Sequence, residues 1–289
     1  LAGRPNVGKS TLANAIVGAK VAIVSDRPQT TRRAVRGVAT DVAAGWQMVL
    51  VDLPGVQRPR DVLTQRMQRR VEHELADSDA VMFVVNAEQG IGPGDRFIAR
   101  QMLSAESKTP VICAVNKLDR VGPPKATEVL AAAEELGVAD EIFPVSAKRG
   151  TGLEPMTERI AELLPEGPFL YPPEDHSDQP SDVHLAELIR EQVLHRTRDE
   201  IPHAVEVAVE SAEEREDGLV EVVAQVWVES SSQKGILIGR GGRMIKEIGS
   251  AARRELERDL GAKVFLDLQV RVRERWRRDE ALLDRLGID

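Results

Sequence analysis

The sequence predicts two folds in tandem: an α/β domain with a mostly parallel sheet and helices on both faces, then a smaller α+β domain. Three observations predict this. Short apolar runs alternate with helical stretches through the first half. Composition breaks at 165–180, which is rich in Pro, Asp, Glu and Ser around Pro172-Pro173. Beyond it the order of elements becomes α-β-β-α-α-β. The domains are placed at 1–165 and 183–289, joined by a linker over 166–182.

In chain order, 12–17 reads as a helix, and 48–51, 80–85 and 110–115 as buried strands. Helices follow at 63–75, 95–103, 126–136 and 156–164, spaced as crossovers between parallel strands. In the second half 183–197 reads as a helix. Val205, Val207 and Val209 alternate with polar residues, as do Val222, Ala224, Val226 and Val228, and the charged turn 213–218 makes these a hairpin. A helix over 243–260 and a strand over 264–273 close the pattern.

Composition limits the possibilities. The 289 residues are 42% hydrophobic and 30% charged, as in a globular protein, and the net charge of −8 argues against indiscriminate coating of nucleic acid. The single cysteine, Cys113, sits in an apolar run and reads as a strand residue in a reducing, cytoplasmic setting. No apolar run reaches the length of a membrane span. Only Leu1 and Ala2 precede the first motif, so upstream residues supplying a first strand are expected.

That motif is Gly3-Arg4-Pro5-Asn6-Val7-Gly8-Lys9-Ser10-Thr11, which fits G-x-x-x-x-G-K-[ST]. Its glycines let the backbone turn N–H groups toward phosphates, Lys9 adds a charge at the β/γ phosphates, and Ser10 offers a hydroxyl to Mg²⁺. Asp52-Leu53-Pro54-Gly55 follows an apolar strand. There Asp52 would hold Mg²⁺ through water and Gly55 would present its N–H to a γ-phosphate. Thr31, with Thr30 as runner-up, lies where a hydroxyl could complete the metal shell and release after hydrolysis.

Asn116-Lys117-Leu118-Asp119 follows another buried strand. Guanine presents two adjacent donors, and the carboxylate of Asp119 can accept both. Asn116 would hold the loop and contact the base, and the stem of Lys117 would cover its ring. In Ser146-Ala147-Lys148, the N–H of Ala147 would meet guanine O6 while Lys148 flanks the base. These motifs together define a P-loop GTPase domain. Val56 stands where Ras-like GTPases carry the glutamine that orients water, and Gln57 is one place further on, so slow hydrolysis by the isolated domain is expected. A K⁺ ion at Asn6 is one source of help; the other reading is that Asn6 only shapes the loop.

In the second half, Ile238-Gly239-Arg240-Gly241-Gly242 carries a G-x-x-G loop between helices, with Lys234, Arg240, Arg243 and Lys246 around it. Such a loop lets a single-stranded RNA backbone approach closely, and within α-β-β-α-α-β it indicates a type II KH domain. Arg271, Arg273, Arg275, Arg277 and Arg278 form a basic run around Trp276. It reads either as an extension of the RNA track or as a solvated tail.

Gathered, these residues resemble the Era family of bacterial ribosome-associated GTPases. The likeness runs through the phosphate loop, Gln29-Thr30-Thr31-Arg32, 116–119, Ser146-Ala147, 235–242, Lys246-Glu247-Ile248-Gly249, Ala252-Arg253 and 264–276. It implies GTP hydrolysis to GDP with Mg²⁺ and binding at the 3′ end of 16S rRNA through the KH groove. It also implies a part in 30S subunit maturation and peripheral contact with the inner membrane; a monomer is expected. Leu53 departs from the family's usual threonine, with little effect expected. Two rival readings stand: a constitutive RNA-binding module whose G domain recruits proteins, and a membrane-linked signalling GTPase.

Overall fold

A computed structural model describes residues 1–27, 29–56, 59–104 and 109–288. It contains two compact units, one of Leu1–Ala22, Thr31–Arg60 and Thr64–Asp178, the other of Ile23–Thr30, Asp61–Leu63 and Gln179–Asp289.

The first unit runs through α1 (Lys9–Val17), β1 (Val35–Asp41), β2 (Trp46–Asp52), α2 (Val62–Ala76), β3 (Val81–Asn86), α3 (Pro93–Ser104), β4 (Val111–Asn116), α4 (Pro123–Glu134), β5 (Glu141–Pro144) and α5 (Leu153–Leu163). Strands β3, β4 and β5 pair in parallel. β1 and β2 are an antiparallel pair in register from Val35 opposite Asp52 to Asp41 opposite Trp46. Leu1 and Ala2 stand between β2 and β3. The Leu1 amine donates to Val51 O at 2.7 Å, and Ala2 bridges Phe83 in the parallel sense.

Strand periodicity sorts the core. Val81, Phe83 and Val85, with Val111, Cys113 and Val115, face one way and pack with Val71 of α2, Ile98 of α3 and Val129 of α4. Met82, Val84, Ile112 and Ala114 face the other way, toward Leu12 and Ala13 of α1 and Met156 and Ile160 of α5. Both faces are covered, which is why β3 and β4 read as unbroken apolar runs. Each Val, Leu, Ile, Met or Phe among them contributes about 1.5–3 kcal/mol on full burial. Cys113 lies in this packing, and burial pushes its thiol pKa up to about 12.

Every strand in the sequence reading falls on an observed one, whereas β1 went unread. The Pro-rich stretch is fastened rather than loose. Gln47 Oε1 accepts from Leu170 and Tyr171 N–H at 2.7 and 2.9 Å, and Val38 N–H donates to His176 O at 2.8 Å. Residues 176–177 thereby pair with the outer edge of β1, which would otherwise expose unpaired main-chain groups.

The second unit contains α6 (Ser181–Arg196), α7 (Ile201–Ala204), β6 (Glu206–Glu214), β7 (Val220–Val228), α8 (Ser231–Ile238), α9 (Arg243–Leu260), β8 (Val264–Val272) and α10 (Glu280–Arg285). The sheet order is β6-β7-β8, with β6 antiparallel and β8 parallel to β7. One face carries Val222, Ala224 and Val226 against Leu188 and Ile189 of α6, Leu237 of α8, and Ile248, Ala252 and Leu256 of α9. In the basic run Arg271, Arg273, Arg275 and Arg278 are exposed, while Trp276 and Arg277 between them are packed. Trp276 is fully buried and its Nε1 donates to Ala204 O at 2.9 Å, while Arg277 pairs with Glu229 at 2.6 Å. Leu283, Leu286 and Ile288 are buried after it.

Candidate functional site

The phosphate loop leads directly into α1, with Gly8 at the helix N-cap in the left-handed region (φ 101°). A Cβ there would lie 2.4 Å from Asn116 Nδ2. The glycine is required both by conformation and by the closeness of the Asn116 loop. Lys9 is buried, and its Nζ donates to Gly3 O at 3.3 Å and Arg4 O at 3.1 Å. Burial lowers its pKa to about 8, against the opposing pull of Asp52.

Ser10, Thr31 and Asp52, read from three separated motifs, meet at one point. Ser10 Oγ donates to Asp52 Oδ2 at 2.6 Å and lies 3.1 Å from Thr31 Oγ1, which is 3.3 Å from the same carboxylate oxygen. Asp52 is wholly buried, and its Oδ1 has no hydrogen-bond partner. Burial raises its pKa from the ordinary carboxylate value, with Lys9 and the two hydroxyls acting in the opposite direction. A buried carboxylate oxygen left unsatisfied beside two hydroxyls is the hard-oxygen environment that suits a divalent cation. Thr30 is turned elsewhere: its hydroxyl donates to Arg27 O at 2.6 Å.

The loop after β2 touches the phosphate loop through Val56 N–H, which donates to Gly3 O at 3.3 Å. Leu53 and Val56 are buried in the apolar core and Pro54 is also buried, so Leu53 acts through packing. Gln57 lies outside the described residues. Arg4, a member of the phosphate loop, is held by Asp95 at 2.8 Å and by Gly90 O at 3.3 Å. Asp95 is fully buried and also accepts from Gly92 N–H. The sequence reading missed this brace; an acid in the first turn of α3 was its only local signal.

At the far end of the loop, Asn116 Nδ2 donates to Val7 O at 3.1 Å. Its Oδ1 accepts from the N–H groups of Lys117 (2.7 Å) and Ala147 (3.0 Å). The Ala147 N–H, expected at guanine O6, is therefore spent on Asn116 here. Lys117 has φ 66°, and its Nζ donates to Asn6 O at 2.7 Å, tying the base-side loop to the phosphate side. Leu118 is half-buried and Lys148 exposed. Ser146 Oγ donates to Asp119 Oδ1 at 2.7 Å, which aims the carboxylate and holds its pKa below the ordinary value.

In the second unit α8 ends at Ile238 and α9 begins at Arg243, with Gly239 to Gly242 making the turn between them. Gly241 has φ 61° and nothing within 4 Å of a Cβ position, so this side of the loop is open to an approaching backbone. Arg240, Arg243 and Lys246 are exposed around it and Lys234 is half-buried. Arg243 is bonded to Glu247 at 2.9 Å.

The first unit is thus built as a P-loop GTPase domain and the second as a KH module. Residues 1–117 match a family model described as a 50S ribosome-binding GTPase, and 200–277 match the KH domain model. GTPase Era of Mycolicibacterium smegmatis is 44% identical over 99% of this chain and 96% of its own. The Era GTPase of Mycobacterium tuberculosis is 46% identical with the same coverage. Among solved structures, Era with MgGDPNP and nucleotides 1506–1542 of 16S ribosomal RNA superposes with a TM-score of 0.94 at 33% identity, covering 99% of this chain and 96% of that one. A Tyr-to-Ala variant of Aquifex aeolicus Era bound to GDP·AlF4⁻ gives 0.91 at 34%, covering 99% and 97%. The chain belongs to the Era family of GTPases.

Proposed function

We propose that this protein binds GTP with Mg²⁺, hydrolyses it to GDP, and binds the 3′ end of 16S rRNA at the open face of the Gly239–Gly242 loop during small-subunit assembly in the cytoplasm. The observation that carries the reading is the meeting of Ser10 and Thr31 at one carboxylate oxygen of buried Asp52, whose other oxygen is unsatisfied, with Lys9 next to Ser10 in the chain. The relative superposing at 0.94 was solved with both a GTP analogue and rRNA, which supports joining the two sites in one function.

Ser10 and Thr31 would hold the metal directly and Asp52 through its water shell. The bound ion would neutralise charge on the β and γ phosphates. Lys9 and the N–H groups from Gly3 to Thr11 bind the phosphates. Gly55 donates its N–H to the γ-phosphate, and Asp119 accepts the two guanine donors. Val56 has no polar group with which to align water and is buried, so hydrolysis is slow unless charge stabilisation comes from elsewhere. K⁺ near Asn6 is our candidate. Equal rates in K⁺ and Na⁺ buffers would remove it.

The RNA part is tested with a single strand matching the rRNA 3′ end, titrated in GDP and in a non-hydrolysable GTP analogue. Tighter binding with the analogue, lost in Gly241→Asp, is expected. Absence of binding in either state would sink the RNA assignment. Peripheral membrane contact and a monomeric state complete the proposal; vesicle flotation and light scattering check them.

A further inference from the structure

Arginines make holds across long stretches of chain in both units. In the second unit Arg190 of α6 is wholly buried, and its Nη2 donates to the carbonyl oxygen of Thr30. Glu191 Oε1 accepts from Val24 N–H at 2.9 Å, and Ile23 is buried in the apolar core with Leu185, Leu188 and Ile189. These contacts fix 23–30 on a helix of its own unit. In the first unit the hold reaches the phosphate loop.

Arg4 lies in the first half of that loop, and its side chain runs across the first turn of α3. Its Nε donates to Asp95 Oδ1 at 2.8 Å and its Nη2 to Gly90 O at 3.3 Å. Asp95 is fully buried and is the third residue of α3. Its Oδ2 accepts from the N–H of Gly92, the residue before the helix, at 2.8 Å. One carboxylate therefore caps the helix and holds the loop. A buried carboxylate must have its charge answered, and the Arg4 guanidinium answers it. The stem of Arg4 lies over Gly94, where a Cβ would fall 2.5 Å from Arg4 Cδ and 3.0 Å from Cγ. Gly94 has no positive φ. The space taken by Arg4, rather than conformation, keeps a side chain out of this turn, where alanine is the better helix former.

The main chain of Arg4 meets Lys9. Lys9 Nζ donates to the carbonyl oxygens of Arg4 and Gly3 at 3.1 and 3.3 Å. Behind them the chain is pinned to β3: Ala2 N–H donates to Met82 O at 2.9 Å, and Val84 N–H to Ala2 O at 2.8 Å. The carbonyls that hold Lys9 are thus placed from behind by β3 and from the side by α3.

We propose that Arg4 and Asp95 are positioning residues for nucleotide binding: the pair holds the first half of the phosphate loop, and the Lys9 ammonium with it, in the phosphate-receiving shape before nucleotide arrives. The proposal rests on the reading of Gly3 to Thr11 as the phosphate loop. A loop already in shape has no ordering entropy to lose on binding. Freed from α3, only a fraction of the molecules would carry the receiving shape. The rate of capture falls with that fraction, and the rate of release does not.

The test measures association and dissociation of fluorescent GDP and of a fluorescent non-hydrolysable GTP analogue by stopped flow, on the full chain, with melting temperatures alongside. Arg4→Ala should slow association about tenfold, the loss of roughly one charge-assisted hydrogen bond, and leave dissociation within about twofold. Both nucleotides should be slowed by the same factor, because the pair acts before either is bound. Asp95→Asn should behave likewise, and the double variant should lose little more than either single one. Arg4→Lys keeps the charge and loses the fork that serves Asp95 and Gly90 together, and should slow association about threefold. Gly94→Ala removes no polar group, yet it displaces the Arg4 stem and should slow association by about threefold or more. Ile160→Val, in the core beneath α5, should lower the melting temperature without changing either rate. If Arg4→Ala and Asp95→Asn do not fold, Arg4→Lys and Gly94→Ala decide. Variants of the pair that lower the melting temperature as Ile160→Val does, with association within about twofold, overturn the proposal. A loss that falls wholly in dissociation also overturns it, since the pair would then act in the bound complex. Failure of the unaltered protein to bind either nucleotide overturns the phosphate-loop reading and the proposal with it.

Discussion

Nucleotide binding should take up a proton at Lys9. With its pKa lowered to about 8 by burial, Lys9 is about nine-tenths charged at pH 7, half at pH 8 and one-tenth at pH 9 in the nucleotide-free protein. Phosphates placed against it restore the charge, so binding draws in roughly 0.1, 0.5 and 0.9 proton at those pH values. The apparent affinity for GDP then falls about fivefold between pH 8 and pH 9, following the protonated fraction. Titration calorimetry of GDP in pairs of buffers with different ionisation enthalpies reads the uptake directly. Working without Mg²⁺ keeps the metal-linked ionisation of Asp52 out of the balance, and working above pH 7.5 keeps out the terminal phosphate. The folded pKa lies below that of the unfolded chain, so the unfolded state binds more protons between about pH 8 and the ordinary lysine value of 10.5. Lys9 accordingly makes the nucleotide-free protein gain stability as pH rises through that window. Uptake that stays near zero at both pH 8 and pH 9 would refute the reasoning.

Asp119→Asn should weaken GTP binding by about 10²-fold, two charge-assisted hydrogen bonds at an open site, and should favour xanthosine triphosphate, whose 2-oxo group accepts from the new amide; competition binding reads both. Gly8→Ala should abolish measurable GTP binding and destabilise the first unit by about 1–3 kcal/mol in thermal unfolding, since φ 101° and the Asn116 contact both oppose a Cβ. Gly241→Asp should leave the melting temperature within about 2 °C, because Asp tolerates the left-handed region and nothing crowds the position. RNA affinity should fall about tenfold or more in the same variant, with the loss growing at low salt.

The parts of the site that follow local rules were readable. The phosphate loop, Asp52 and Asp119 each lie at the end of an apolar run, and such runs mark where a parallel strand delivers its loop to the ligand edge. Thr31 could be preferred to Thr30 but not placed, because its position depends on Ser10 and Asp52 together. β1 escaped because Arg36 and Gly37 interrupt its apolar pattern and its pairing is set by β2 across a turn. Arg4 with Asp95, and Arg190 with Thr30, escaped for a stronger reason. These partners are 91 and 160 residues apart, and nothing in either neighbourhood names the other. Trp276 reads as one aromatic among arginines until the fold shows Ala204 waiting beneath it.

The burial of Ile23 among residues of α6 has a consequence for the order in which the protein is made. The chain leaves the ribosome from its N-terminus at about 5–20 residues per second, and domains generally fold as they emerge. Residues 23–30 emerge well before the helix that grips them, which begins at Ser181. For about ten seconds or more this stretch exists without the partners that fix its geometry. The phosphate-binding turn can form early, whereas this stretch is settled only afterwards. A nascent chain should therefore leave 23–30 open to proteolysis until the second half of synthesis is complete, and only then protect it.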